Sequence, residues 1–137
     1  LHALHLSRRY WRTHLSASLP RMCPAEGGFA PLNPVSDGEF VQLICALRLL
    51  LPDMGLALST RESATLRDNL LPLGITQMSA GSCTSPGGYA NPEKGTRQFD
   101  INDERTPAEV ERMIRSKGYE AVWKDWDRCF LDRRELL

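Results

Sequence analysis

The chain has 137 residues, enough for one domain with a real core. Its 42% hydrophobic and 25% charged residues are those of an ordinary globular protein. Seventeen basic and seventeen acidic residues cancel, so no global field argues for nucleic acid or a membrane surface. No apolar run approaches the roughly twenty residues of a membrane span, and no signal-peptide pattern is present.

Residues from about Ala3 to Leu15 read as a helix, with Leu4, Trp11 and Leu15 near one face. Ser16 to Met22 reads as a short strand that alternates as far as Pro20. Cys23 to Val35 is rich in proline and glycine and reads as loop. The clearest helix follows. Ser36 and Glu39 form a capping box, and Phe40, Val41, Leu43, Ile44, Leu47, Leu50 and Leu51 give a wide apolar stripe that Pro52 and Gly55 end.

Leu56 to Ser59 reads as a strand, Ser63 to Leu71 as a helix, and Ile75 to Ser79 as the next strand. Gly81 to Arg105 lacks periodicity and reads as irregular. Thr106 and Glu109 make a second capping box, with Pro107 at the first helical position and Gly118 as the stop. Tyr119 to Trp123 reads as a last short strand, and the charged tail after Lys124 as weak helix. Alternating helices and strands predict an α/β fold with parallel strands joined by crossover helices. Periodicity leaves half a barrel and a small doubly wound domain both open.

In a parallel sheet the carboxyl ends of the strands share one side, where α/β proteins place their sites. Three such ends are polar here: Pro20-Arg21, Ser59-Thr-Arg-Glu-Ser63 and Ser79-Ala-Gly-Ser82. The loop Met78 to Tyr89 abandons all periodicity for hydroxyls and glycines, which suits close approach of backbone to a ligand. Arg61 offers a planar fork for a carboxylate or phosphate, against the alternative of an ion pair with Glu62 or another carboxylate. Ser79 and Ser82 suit an amino or carboxylate group of a ligand, or simply a turn. Ser63 reads as a helix cap before a ligand. Pro86-Gly87-Gly88 reads as a tight turn.

His2 and His5 share a helix face without a third metal ligand, and His14 reads as a surface or half-buried residue. Cys23, Cys45, Cys83 and Cys129 are too scattered for a zinc or iron–sulfur motif and read as reduced, cytoplasmic thiols. No Ser/His/Asp or Cys/His arrangement stands out, and neither Gly-Gly pair fits a dinucleotide fingerprint. The chain opens without methionine inside a helical stretch, as a piece of a longer protein would.

Ser59-Thr-Arg-Glu-Ser63, Ser79-Ala-Gly-Ser82, Pro86-Gly-Gly-Tyr-Ala90, Gln98-Phe99 and Val122-Trp-Lys-Asp-Trp-Asp127 occur in one order. From about Tyr10 to Asp127 the chain resembles the C-terminal part of the 2-iminoacetate synthase family, the radical S-adenosylmethionine (SAM) tyrosine lyases of thiamine biosynthesis. The Ser-Thr-Arg-Glu strand end is shared by the related tyrosine lyases of hydrogenase maturation, whose extra C-terminal cysteine cluster is absent here.

The resemblance implies that residues 1–137 form the second half of a radical SAM (β/α) barrel with the region shared by biotin and thiamine synthesis enzymes. It implies reductive cleavage of SAM at a [4Fe-4S] cluster and a radical that takes hydrogen from L-tyrosine. The Cα–Cβ bond then breaks to give 2-iminoacetate and p-cresol, the former used for the thiazole ring of thiamine. By the same resemblance Arg61 would hold the tyrosine carboxylate and Ser79 would assist at the amino-acid end. Arg21 would face the same cavity toward substrate or SAM. No catalytic or metal-binding residue is assigned.

The family's cluster motif, C-x3-C-x2-C, lies in its N-terminal half and has no equivalent here, so the chain alone is expected to be inactive. Implied partners are that N-terminal half and thiazole synthase. Alternative readings are a non-catalytic interaction module, and the same module in another radical SAM enzyme.

Overall fold

The computed structural model describes residues 1–22, 31–85 and 100–123. Their elements run in the order helix α1 (His2–Arg9), strand β1 (Ser16–Ser18), helix α2 (Asp37–Leu50), strand β2 (Gly55–Leu58), helix α3 (Ala64–Leu70), a 3-10 turn (Leu71–Leu73), strand β3 (Gln77–Met78) and helix α4 (Pro107–Ser116). The three strands form one parallel sheet in the order β1-β2-β3. The α/β expectation with parallel strands therefore holds.

Both capping boxes form. The Ser36 and Thr106 side chains accept from the backbone N–H of Glu39 and Glu109, and each glutamate bonds back to its cap's N–H. Those N-cap bonds hold the exposed Glu39 and Glu109 carboxyls below the usual carboxylate range, the bonds from Ser36 and Thr106 respectively dominating. Ser63 caps α3 by accepting from Leu66 N, as its position before a helix implied.

β2 is the central strand, and Leu56 and Leu58 are both 1% exposed. These two share one face, and on the other Gly55 is buried and Ala57 half-buried, the two-sided cover that a parallel strand between helices requires. Phe40 and Ile44 of α2, Leu70 of α3, Met54 and Ile75 complete the core around it. The ladder continues past the short β3, because Thr76 N donates to Leu56 O at 3.0 Å and Ser79 N to Leu58 O at 2.9 Å. Thr76 Oγ1 also accepts from Leu56 N.

Three expectations need correction. The first strand is Ser16–Ser18 and does not reach Met22, since Pro20 has no N–H to give a ladder. The first helix stops at Arg9, and none of its residues is buried; Trp11 is 70% exposed, with the Arg12 guanidinium 4.6 Å above its ring. Residues 119–123 form no strand; Tyr119, Val122 and Trp123 are exposed. The apolar stripe of α2 is also wider than the surface it buries, for Leu43 and Leu50 stay largely exposed. The Pro86-Gly-Gly turn and the tail after Lys124 lie outside the described residues.

Gly74 closes the 3-10 turn with a φ of +94°. Arg48 packs against it, donating from Nη2 to Gly74 O and from Nη1 to Pro52 O and Met54 O at 2.6 and 2.9 Å. A Cβ on Gly74 would stand 2.7 Å from Arg48 Nε. Gly74→Ala therefore combines left-handed strain with displacement of this clamp, and is expected to cost about 1–3 kcal/mol. The midpoint of chemical denaturation measures it.

Candidate functional site

Parallel pairing puts the carboxyl ends of β1, β2 and β3 on one side, so the segments after Ser18, Leu58 and Met78 are neighbours. The three polar segments singled out in the sequence are brought together. Ion pairs and backbone hydrogen bonds then fix each of them.

Arg21 reaches across from the end of β1 to Glu62 at the end of β2. Its Nε lies 3.0 Å from both Glu62 oxygens, and its Nη2 also bonds Oε2. Nη1 turns to Val35 O at 2.9 Å and to Asp37 at 2.8 Å, and the guanidinium stacks 5.0 Å from the Phe40 ring centre. The Glu62 hydrogen bond chiefly raises the Arg21 pKa above its ordinary value. Glu62 is only 3% exposed, so this pairing answers what would otherwise be a buried charge. The carboxylate considered as a mate for Arg61 is thus engaged by Arg21, and Arg21 works as a tie between two strand ends and the start of α2.

Arg61 is half-buried, and its backbone is held from several directions. Its N–H donates to Ser59 Oγ at 3.4 Å, and its carbonyl accepts from Asn102 Nδ2 at 2.6 Å. The preceding carbonyl, Thr60 O, accepts from Asn102 N and Asp103 N at 3.0 and 3.1 Å. Ser79 is exposed and Ser82 half-buried on the neighbouring strand end.

Beneath these ends lies a charge network that sequence reasoning missed. Arg67, 0% exposed, pairs through Nη1 with Asp103 and through Nη2 with the carbonyl of Ser79. Arg105 holds both Asp103 oxygens, at 2.9 and 2.7 Å, and reaches Asp68 at 2.8 Å. Burial raises the Asp103 carboxyl, but the Arg105 hydrogen bonds and the charges of Arg67 and Arg105 outweigh it, leaving it below the usual carboxylate range. The bond to Asp103 likewise raises Arg105, whereas burial draws Arg67 down. A faint signal was present: Arg67 stands three residues before Leu70 and four after Ser63, on the inward face of α3.

A groove of about 1000 Å³ lies elsewhere among the described residues. Leu4, Trp11, His14, Leu15, Leu51 and Met54 line it, residues that precede β1 and β2 or belong to α1. It opens at the amino ends of the strands, opposite the polar ends, where ligands of parallel sheets do not bind. His2, His5 and His14 are all exposed. Among the described residues no group of three His, Cys, Asp or Glu is placed to hold a metal ion. Cys45 and Cys83 are free thiols, while Cys23 and Cys129 lie outside the described residues. No helix among the described residues is long and apolar enough to cross a membrane.

An α/β chain with basic and hydroxyl residues at the carboxyl ends of a parallel sheet defines the class. The model of the Biotin and Thiamin Synthesis associated domain matches residues 18–120, and the chain belongs to that family. It is 44% identical over 126 residues to the 2-iminoacetate synthases of Escherichia coli (strain K12) and Salmonella typhimurium. Those alignments cover 92% of this chain and 33% of each relative, so the chain spans about a third of their length.

Solved structures agree. HydG, a maturase of the [FeFe]-hydrogenase, superposes with a TM-score of 0.82 at 34% identity, over 96% of this chain and 28% of its own. HydG from Carboxydothermus hydrogenoformans gives 0.71 at 39% identity, over 86% and 27%. The likeness drawn from the sequence motifs, to 2-iminoacetate synthase and to the hydrogenase-maturation relatives, is borne out.

Proposed function

We propose that the chain is the substrate-positioning part of a radical SAM lyase that cleaves L-tyrosine between Cα and Cβ, giving 2-iminoacetate and p-cresol for the thiazole of thiamine. The observation that carries this reading is the convergence of Arg61 and Ser79 on one side of a parallel sheet, in a chain 44% identical to 2-iminoacetate synthases. The Arg61 fork holds the amino-acid carboxylate by two parallel charge-assisted bonds. Ser79 Oγ bonds the amino-acid end. Arg21 contributes through Glu62, by fixing the strand end that carries Arg61. Holding the amino-acid end at two points sets the Cα–Cβ bond in one orientation, which is how positioning lowers a barrier.

The chain's residues do not fit the [4Fe-4S] cluster, because its four cysteines are too scattered for the three-cysteine motif. The cluster and the SAM bound to it belong to the rest of the enzyme, the N-terminal half of its barrel. A cytoplasmic enzyme handing 2-iminoacetate to thiazole synthase completes the proposal.

A chimera joining this chain to the cluster-bearing portion of a 2-iminoacetate synthase is expected to form p-cresol from tyrosine, measured by chromatography. A folded, cluster-loaded chimera that consumes no tyrosine would overturn the reading. The second reading, a hydrogenase-maturation lyase, is supported by the HydG superpositions. The higher identity to 2-iminoacetate synthases favours the first.

A further inference from the structure

We propose that Asp103 and Arg67 form a positioning pair that sets the spacing and facing of Arg61 and Ser79 in the tyrosine site. The proposal rests on the reading that these two residues bind the substrate, and adds the device that aligns them.

Arg61 and Ser79 lie on different strand ends, 18 positions apart in the chain; Ser79 N still bonds Leu58 O at 2.9 Å, but Arg61 sits in a turn beyond the ladder. One short path joins them. Asp103 N donates to Thr60 O at 3.1 Å, directly before Arg61. The Asp103 carboxylate takes Arg67 Nη1, and Arg67 Nη2 takes the carbonyl of Ser79 itself. Every link is a directional bond, and both side chains are sealed, Arg67 at 0% and Asp103 at 2% exposure. Asn102 adds a second hold through its Nδ2 on Arg61 O, and Arg105 keeps the Asp103 carboxylate from rotating by taking both oxygens. Arg105 O in turn accepts from Gly81 N at 3.2 Å, so the far side of the Ser79 turn is tied to the same segment.

Burial of a charged pair is weak as a source of stability, since apolar side chains of equal volume do as well. An apolar pair would keep the backbone bond from residue 103 to Thr60 O but would lose the link from there through Arg67 to the Ser79 carbonyl. What the charges supply is geometry: Arg61 and Ser79 hold one substrate at two points only while their spacing is kept, so a shift between them is read as lost tyrosine affinity.

The test uses the full-length enzyme with tyrosine as probe, in Asp103→Asn, Arg67→Lys and Asn102→Ala. Asp103→Asn and Arg67→Lys are each expected to raise the tyrosine Kd and KM about tenfold, with kcat changed less than about threefold. Amide exchange should quicken at residues 59–62 and 79–81. Gly74→Ala, which loosens the fold at the amino-end side, serves as the stability control and should leave the tyrosine Kd unchanged. Asn102 is exposed, so Asn102→Ala keeps the fold even if the buried variants do not, and should raise the Kd about threefold for one lost bond to the backbone.

Tyrosine binding within twofold of wild type in Asn102→Ala and in either buried variant that folds overturns the proposal. So does a Kd that rises equally in Gly74→Ala. Arg61→Ala separates the two levels. If it too leaves tyrosine binding unchanged, the site assignment fails; if it alone weakens binding, only the positioning role fails.

Discussion

Replacing Arg61 by alanine in the full-length enzyme is expected to lower kcat/KM for tyrosine by on the order of a hundredfold. On the proposed reading the fork supplies two charge-assisted bonds to the substrate carboxylate, each contributing about 1.5 kcal/mol, and about 1.4 kcal/mol corresponds to a factor of ten. Arg61→Lys keeps the charge but not the planar fork, and should fall between wild type and alanine. The backbone at this position is held by Ser59, Asn102 and Asp103 through Thr60, contacts that neither substitution removes. Steady-state kinetics of p-cresol formation provide the check, and near-normal activity in Arg61→Ala would remove Arg61 from the site.

Asp103→Ala is expected to cost about 3–5 kcal/mol of stability, because it strands Arg67 in the interior without its carboxylate. Arg105 loses one partner but keeps Asp68. The sign of the pH dependence follows from the folded carboxyl lying below its unfolded value. A group depressed on folding contributes its stability above the unfolded value of about 3.9, and loses it as pH falls through the lower folded value. The gap between wild type and Asp103→Ala should therefore be full at neutral pH and shrink below about pH 4. Adding Arg67→Met to the alanine variant should recover part of the loss, since no buried charge then lacks a mate. Denaturation midpoints across pH measure all three statements.

Much of the fold was legible from local chemistry. Ser36 with Glu39 and Thr106 with Glu109 announced two helix starts, because a capping box is satisfied within four residues and needs no distant partner. Leu56 to Ser59 read as a strand, a short run after the helix-ending Pro52 and Gly55, and the structure pairs Gly55–Leu58. Ends were less legible. Ser16 to Met22 looked like one strand, yet pairing stops at Ser18 before the proline. Tyr119 to Trp123 has strand-forming residues, but among the described residues no strand pairs with it, and propensity is only a prior on the side chains' fit to a sheet.

At the site, the sequence by itself singled out the candidate residues: arginines and hydroxyls after three strands, in the order of a known family. Parallel pairing followed from the alternation of elements, so their convergence was inferable too. Only the tertiary structure decided the partners. Glu62 neighbours Arg61 in the chain but pairs with Arg21, 41 positions away. Asp103, in a stretch that read as irregular loop, is the buried anion joining the ends that carry Arg61 and Ser79. Capping and strand burial depend on neighbours within a few residues, so they leave a local pattern. A charge pair depends on where the backbone turns and on what excludes water around it, and neither leaves a periodicity to read.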